Sequence, residues 1–112
     1  MKRKVAPLAI LLVFGLIMGC ATTPQTPASV YYNARVTYND LLESYVVAWQ
    51  QAPAESQEQW NKDITPWFQK ASVTLDTWSL ALQNNEDPTV QADAYIKLKN
   101  EIVSILLSRG IL

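Results

Sequence analysis

The stretch that decides the fold is residues 60–82, which read WNKDITPWFQKASVTLDTWSLAL. Its large apolar side chains recur every three or four residues, so they fall on one face of an α-helix. Pro66 has no N–H for the carbonyl of Lys62, and we expect a kink or a short break near residues 63–65. Because the apolar stripe keeps its phase across the proline, we favour one helix over residues 57–83, kinked at Pro66. The stripe consists of Trp60, Ile64, Trp67, Ala71, Leu75, Trp78 and Leu82.

Capping residues indicate where this helix starts. Ser56 followed by Gln59 fits a capping box, in which the two side chains satisfy backbone N–H groups of the first turn. An alternative remains open at the proline, because Thr65 can cap a separate helix whose first residue is Pro66.

Residues 30–51 predict a second amphipathic helix, because tyrosine, alanine and leucine recur at steps of three and four along it. Pro53 and the polar stretch after it end this helix. The apolar stripe consists of Tyr31, Ala34, Tyr38, Leu41, Tyr45 and Ala48.

Residues 88–109 predict the remaining helix. Asp87 suits the N-cap, Pro88 suits the first helical position, and Gly110 suits the residue just past the end. Three helices joined by short loops predict an all-α domain over residues 30–112, a small three-helix up-down-up bundle.

The first 20 residues, MKRKVAPLAILLVFGLIMGC, differ from the rest of the chain. Three cations precede an uncharged apolar run over residues 5–18. As a helix, this run is about 21 Å long, whereas the hydrocarbon core of a bilayer is about 30 Å thick. The pattern therefore favours a cleaved secretory signal over a permanent transmembrane anchor.

Residues Ile17-Met18-Gly19-Cys20 resemble the lipobox of bacterial lipoproteins, although leucine is commoner than Ile17 and Met18 is bulkier than usual. The resemblance implies that residues 1–19 form a lipoprotein signal peptide, cleaved between Gly19 and Cys20. It also implies a diacylglycerol thioether on Cys20 and an N-acyl chain, such as palmitate, on the new amino terminus.

Residues 20–29 are expected to be the lipidated cysteine and a short disordered tether, because this stretch contains two prolines and no large apolar side chain. The resemblance places the protein on a membrane, facing the periplasm. Ala21 stands where aspartate usually signals retention in the inner membrane, so the outer membrane is favoured if the host is Gram-negative.

Composition excludes several kinds of chemistry. The chain has 9 Lys+Arg against 10 Asp+Glu, which argues against nucleic-acid binding. It has no histidine and one cysteine, so histidine-based catalysis and the usual metal sites are excluded. No GxSxG motif or glycine-rich phosphate loop is present. We therefore expect no enzyme, no metal and no cofactor beyond the lipid on Cys20.

Two functions remain open for the helical domain. The first is a non-enzymatic interaction or structural module of the cell envelope, whose partner is an unknown envelope protein or a second copy. The surface expected for it consists of aliphatic side chains opposite the core stripes or in a second stripe of the last helix. These residues are Val36, Val47, Val73, Leu80, Ile96, Val103 and Leu107.

The alternative function is a carrier for a small apolar ligand or a lipid in the periplasm. Its pocket is expected among aromatic side chains of the first two helices, which could instead fill the core. These residues are Tyr38, Tyr45, Trp67 and Trp78.

Overall fold

The computed structural model describes residues 26–112, and within this range the chain is all-helical, without strands. The all-α prediction is confirmed for this part of the chain, but it contains four helices where three were predicted. They are α1 (Pro27–Gln51), α2 (Ala54–Asp63), α3 (Thr65–Gln83) and α4 (Thr89–Ser108). The signal peptide of residues 1–19, Cys20 and Ala21 lie outside the described residues.

The prediction of one kinked helix over residues 57–83 is wrong, because a single residue, Ile64, separates α2 from α3. Pro66 cannot donate to the carbonyl of Lys62, so the regular hydrogen-bond ladder cannot continue through this point. Instead, the N–H of Trp67 donates to the carbonyl of Ile64 at 2.9 Å. Ile64 is fully buried, so the apolar stripe keeps its phase although the helix breaks.

The start of α1 also differs from the prediction, because residues 27–29 belong to this helix and not to the tether. The side chain of Thr26 is the N-cap and accepts a hydrogen bond from the N–H of Ser29 at 3.1 Å. Pro27 follows as the first helical residue, where its missing N–H costs nothing.

Neither capping prediction for the second segment is met. Helix α2 begins at Ala54 after Pro53, without a side-chain cap, and Gln59 donates to Asp63 at 2.6 Å instead of closing a capping box. Thr65 is the first residue of α3 rather than its cap.

Two helices end in a Schellman motif, in which a residue with positive φ closes the last turn. In α4 this residue is Gly110, as predicted, with φ 72°. The N–H of Ile111 donates to the carbonyl of Leu106 at 2.9 Å. In α3 the equivalent residue is Asn85, with φ 57°, which was not predicted from the sequence.

Helix α4 begins at Thr89, one residue after the predicted start, with Pro88 as its N-cap residue. Asp87 still stabilises the first turn of α4, because its carboxylate accepts hydrogen bonds from the N–H and the hydroxyl of Thr89 at 3.0 and 2.6 Å.

Helix α1 runs antiparallel to α2 and α3 in one continuous register. Residues with higher numbers on α1 contact residues with lower numbers on α2 and α3. The contacts follow this order on both sides of the break at Ile64. The contacts are Trp49 with Asn61, Tyr45 with Thr65, Tyr38 with Phe68, Arg35 with Asp76 and Tyr31 with Trp78.

Helix α4 runs antiparallel to α3. The rings of Trp78 and Tyr95 lie 6.1 Å apart at one end, and Arg109 forms an ion pair with Asp63 at 3.2 Å at the other. The hydroxyl of Tyr95 donates to the carbonyl of Ala34 at 3.1 Å, which joins α4 to α1.

The core between the helices is rich in aromatic side chains, and no polar or charged residue is buried in the described part of the chain. Large rings give a small domain enough buried apolar area to be stable. The buried residues are Tyr38, Tyr45, Ile64, Phe68, Ala71, Leu75, Trp78, Ala81, Tyr95, Ile102 and Leu106.

Candidate functional site

A groove of about 520 Å³ lies between α1 on one side and α2 and α3 on the other. It follows the antiparallel register described above, so each wall comes from a different part of the chain. The lining residues are Tyr38, Leu42, Tyr45, Val46, Trp49, Gln50, Asn61, Thr65, Phe68, Gln69 and Ser72.

The floor of the groove is built from aromatic rings. Tyr45 stacks on Phe68 with ring centroids 5.1 Å apart and an interplanar angle of 12°. Tyr38 meets the same Phe68 ring edge-on at 5.9 Å. Such pairs contribute about 0.5–1.5 kcal/mol beyond the burial of their area. The rings therefore form a firm apolar surface.

The polar atoms of these two tyrosines are already used by the fold. The hydroxyl of Tyr38 donates to the carbonyl of Phe68 at 3.1 Å. The hydroxyl of Tyr45 lies 3.2 Å from the carbonyl of Trp60 and 2.8 Å from the hydroxyl of Thr65. Burial raises the pKa of Tyr38 and of Tyr45, so both stay neutral near pH 7. The floor therefore offers neither a charge nor a free hydroxyl.

One end of the groove is held by a hydrogen-bond exchange between α1 and α2. The indole N–H of Trp49 donates to the side-chain oxygen of Asn61 at 3.1 Å. In return, the side chain of Gln57 donates to the carbonyl of Trp49 at 2.8 Å. Gln50 and Gln69 are exposed at the rim. Side-chain amides therefore lie around the apolar floor, and the residues that line the groove include no charged group.

The four aromatic residues predicted to line a pocket do not lie together in the structure. Tyr38 and Tyr45 line the groove, but Trp67 and Trp78 do not. Trp67 immediately precedes Phe68, so its side chain points about 100° away around α3. Trp67 is half-buried, and the ammonium group of Lys70 lies over its ring, 4.8 Å from the ring centroid.

Trp78 lies at the opposite end of the domain from Trp49. Its ring packs between Tyr31, at 5.5 Å, and Tyr95, at 6.1 Å. Trp78 thus fills the core where α1, α3 and α4 meet, and the core interpretation holds for this residue.

Several residues of the groove were not among those predicted from the sequence. Leu42 and Val46 are one helical turn apart beside the tyrosine stripe, and this spacing was a usable signal. Phe68 and Thr65 gave no such signal, because their part in the groove depends on how α1 pairs with α3.

The aliphatic residues predicted for a partner surface are exposed, with the exception of Val103, which is half-buried. Val47 lies in a surface depression beside Ile111, and Val73 lies in a different one beside Leu98. The seven residues therefore do not line a single groove, although they leave apolar side chains on all three long helices. They are Val36, Val47, Val73, Leu80, Ile96, Val103 and Leu107.

The carboxylates with altered pKa values serve the fold. Hydrogen bonds from Gln59 and Arg109 lower the pKa of Asp63. Hydrogen bonds from Thr89 lower the pKa of Asp87. Asp87 lies just before the first turn of α4, where the helix dipole also favours a negative charge, whereas Asp63 is the last residue of α2 and owes its lowered pKa to its hydrogen bonds. Within residues 26–112, no group of three or more His, Cys, Asp or Glu side chains is placed to hold a metal ion.

Together these features define the class: a small all-α domain with an uncharged aromatic groove on one side and scattered exposed aliphatic residues. No helix in residues 26–112 combines the length and apolar character needed to cross a bilayer. No protein-family model, curated protein or solved structure matches the chain.

Proposed function

We propose that this chain is a membrane-anchored bacterial lipoprotein whose helical domain is a non-enzymatic interaction module of the cell envelope. The support for the anchor is the order of cations, apolar run, Gly19 and Cys20 in residues 1–20. Two or three acyl chains on Cys20 would hold the chain on the membrane, since one chain alone anchors only marginally. With Ala21 after the cysteine, the proposal includes the periplasmic face of the outer membrane in a Gram-negative host.

The folded part of this proposal is an up-down-up bundle in which α2 and α3 together form the middle arm. The continuous antiparallel register of α1 across the break at Ile64 supports this description. A rigid bundle of this kind presents fixed surfaces to a partner at the membrane.

The observation that carries the interaction role is the exposure of large aliphatic side chains outside the core. Val73 is 64% exposed, Leu80 56% and Leu107 58%. Val73 and Leu80 are seven residues apart and share one face of α3. Covering such side chains stabilises a complex by about 25 cal/mol for each Å² of apolar area removed from water. The proposed partner is an envelope protein or a second copy of the chain.

A non-enzymatic role is supported by how the reactive groups of the domain are used. The hydroxyls of Tyr38, Tyr45 and Tyr95 bond to backbone carbonyls inside the fold. Asp63 and Asp87 are engaged at helix ends. These groups are committed to structure rather than gathered in one cleft.

Site-specific photocrosslinking in intact cells tests the interaction role. A photoreactive amino acid is placed at Leu80 or Leu107 of the full chain, and at the exposed polar residue Glu58 as the control, because α2 carries none of the predicted surface residues. We expect discrete adducts from the two leucine positions and none from Glu58. An adduct of twice the mass indicates a second copy, and a larger one an envelope protein. Absence of adducts at both leucine positions would refute the interaction role.

Mass spectrometry of the membrane-extracted chain tests the anchor. We expect the mature chain to begin at Cys20 and to carry a diacylglycerol and an N-acyl chain. The variant Cys20→Ser should keep residues 1–19 and lack these lipids. An unmodified sulfur on Cys20 in membranes would contradict the lipoprotein assignment.

A second candidate function, a carrier for a small apolar ligand or lipid, is favoured by one observation. The groove is lined mainly by aromatic and aliphatic side chains, which is the usual lining of small-molecule sites. Two of the tyrosines expected to line such a site, Tyr38 and Tyr45, lie in it. Transfer of a fluorescent lipid between vesicles by the full chain would test this function.

A further inference from the structure

We infer that the domain forms a dimer through the side where α1 and α4 lie next to each other, with the second copy parallel to the first. This inference rests on the proposed interaction role and names the partner for that side, a second copy of this chain. The α1–α4 face consists of apolar residues that the fold leaves exposed or half-buried, one carboxylate and one ammonium group. They are Leu41, Val47, Ile96, Val103, Leu107, Asp40 and Lys99.

The residues of this face point away from α3. Leu98 of α4 shares a surface depression with residues of α3. Val103 and Leu107 come five and nine residues after Leu98, so they point about 140° and 180° away from it around α4. On α1, Val47 lies beside Ile111, which follows the end of α4. The apolar side chains therefore lie where α1 and α4 are neighbours.

Heights along α1 and α4 can be compared, because both helices run antiparallel to α3 and therefore parallel to each other. The hydroxyl of Tyr95 donates to the carbonyl of Ala34, which lies 61 residues earlier in the chain. At the other end, Ile111 lies beside Ala48, which gives nearly the same offset. A residue of α1 is thus level with the residue of α4 about 61 positions later.

A parallel second copy, with α1 of each copy packed on α4 of the other, brings apolar residues of equal height together. Leu41 is within one residue of the height of Val103. Val47 is within one residue of the height of Leu107, which is 58% exposed. Removing apolar area from water is the main favourable contribution to most protein–protein association. Two-fold symmetry makes each of these contacts occur twice.

The two charged groups of the face are complementary in the same arrangement. Asp40 and Lys99 differ in height by about two residues, or roughly 3 Å, which a lysine side chain can span. The two ion pairs of residues 26–112 involve neither of them. In the dimer, the carboxylate of each copy lies opposite the ammonium group of the other. Opposite charges at matching heights favour this register over a shifted one.

The proposed anchor agrees with a parallel dimer. The N-cap of α1 is Thr26, six residues after Cys20, and six residues span at most about 22 Å. In a parallel dimer both α1 helices begin at the same end, so both lipidated cysteines can reach one membrane. In an upright antiparallel dimer, the two starts would be separated by about the length of α1, which has 25 residues and is roughly 38 Å long.

Sedimentation equilibrium of the full chain in a density-matched non-ionic detergent measures the dimer. Leu107→Asp and Leu80→Asp are matched variants, because these leucines are 58% and 56% exposed and only Leu107 belongs to the α1–α4 face. We expect wild type and Leu80→Asp to be dimers, and Leu107→Asp to raise the dissociation constant at least about tenfold. A monomeric wild type, or equal dissociation constants for the two variants, would overturn the inference.

Charge exchange tests the register of the two copies. Lys99→Glu and Asp40→Lys each place like charges opposite each other and should raise the dissociation constant about tenfold, whereas the double variant should restore it. Asp40 is exposed, so Asp40→Lys serves if Lys99→Glu loses its helical circular dichroism spectrum. Single variants that leave the dimer unchanged, or a double variant that does not restore it, would overturn the parallel pairing.

The photocrosslinking experiment separates this inference from the interaction role. Adducts of twice the mass from Leu107 would support both. Larger adducts alone, together with a monomer in sedimentation, would keep the interaction role and refute the dimer. A dimer in sedimentation without any adduct in cells would keep the dimer and refute the interaction role in the envelope.

Discussion

Replacement of Tyr95 by phenylalanine should destabilise the fold at neutral pH and lose this effect in alkali. Tyr95 is 2% exposed, and its hydroxyl donates to the carbonyl of Ala34 at 3.1 Å. Tyr95→Phe keeps the ring in place against Trp78 and removes only this hydrogen bond. We expect the variant to lose about 1 kcal/mol of unfolding free energy at pH 7, the usual contribution of one hydrogen bond.

The pH dependence follows from the pKa of Tyr95, which burial raises from 10.0 to about 12. Because the folded pKa is the higher one, the stabilisation is fully present below pH 10 and is lost as the pH rises toward 12. At pH 11 the ionisation of Tyr95 should have lowered the unfolding free energy of the wild-type protein by about 1.4 kcal/mol. Tyr95→Phe has no hydroxyl at this position and should not lose this amount. The two proteins should then be about equally stable.

The measurement is urea unfolding at pH 7 and pH 11, followed by far-ultraviolet circular dichroism of the full chain in a non-ionic detergent. Tyr32→Phe is the matched control, because Tyr32 is 66% exposed and should leave stability unchanged at both pH values. A stability difference between Tyr95→Phe and wild type that is the same at pH 7 and pH 11 would refute the reasoning.

Three further substitutions test local features of the fold. Asn85→Gly should raise the unfolding free energy by about 0.5 kcal/mol in urea titrations, since Asn85 has φ 57°, and a lower value would contradict this. Ile64→Ala should cost about 2–5 kcal/mol because Ile64 is fully buried, whereas exposed Val73→Ala should change stability by less than about 0.5 kcal/mol. Asp87→Ala should lower the melting temperature at pH 7. This effect should disappear as the pH falls below the lowered pKa of Asp87, and an equal effect at pH 2 and pH 7 would contradict its cause.

Local sequence signals located the helix ends closely but not fully. The start of α1 was predicted three residues late, because Thr26 and Pro27 were assigned to the tether although they form a proper cap. Gly110 was identified correctly, since positive φ after a helix is a preference of that residue itself. Such features depend on a few neighbouring residues, which is why sequence reasoning reaches them.

The break at Ile64 was only partly predictable. The missing N–H of Pro66 is a local fact, and it placed the disruption correctly. The hydroxyl of Tyr45 contacts both sides of the break, at the carbonyl of Trp60 and the hydroxyl of Thr65. These contacts come from another helix, 15 to 20 residues earlier in the chain, so the periodicity of residues 60–82 could not reveal them.

By itself, the sequence determined the helical class, the apolar stripe of α1, the disruption near residues 63–65 and the role of Gly110 at the end of α4. The stripe repeats every three or four residues, and each of these features depends on one segment of the chain. Only the tertiary structure decided that Phe68, rather than Trp67, joins Tyr38 and Tyr45 in the groove. It also decided that Trp78 belongs to the core. The physical reason is that a groove is the space left between two packed helices. Its lining depends on the register between side chains about 10 to 35 residues apart, as between Trp49 and Asn61 or Tyr38 and Ser72.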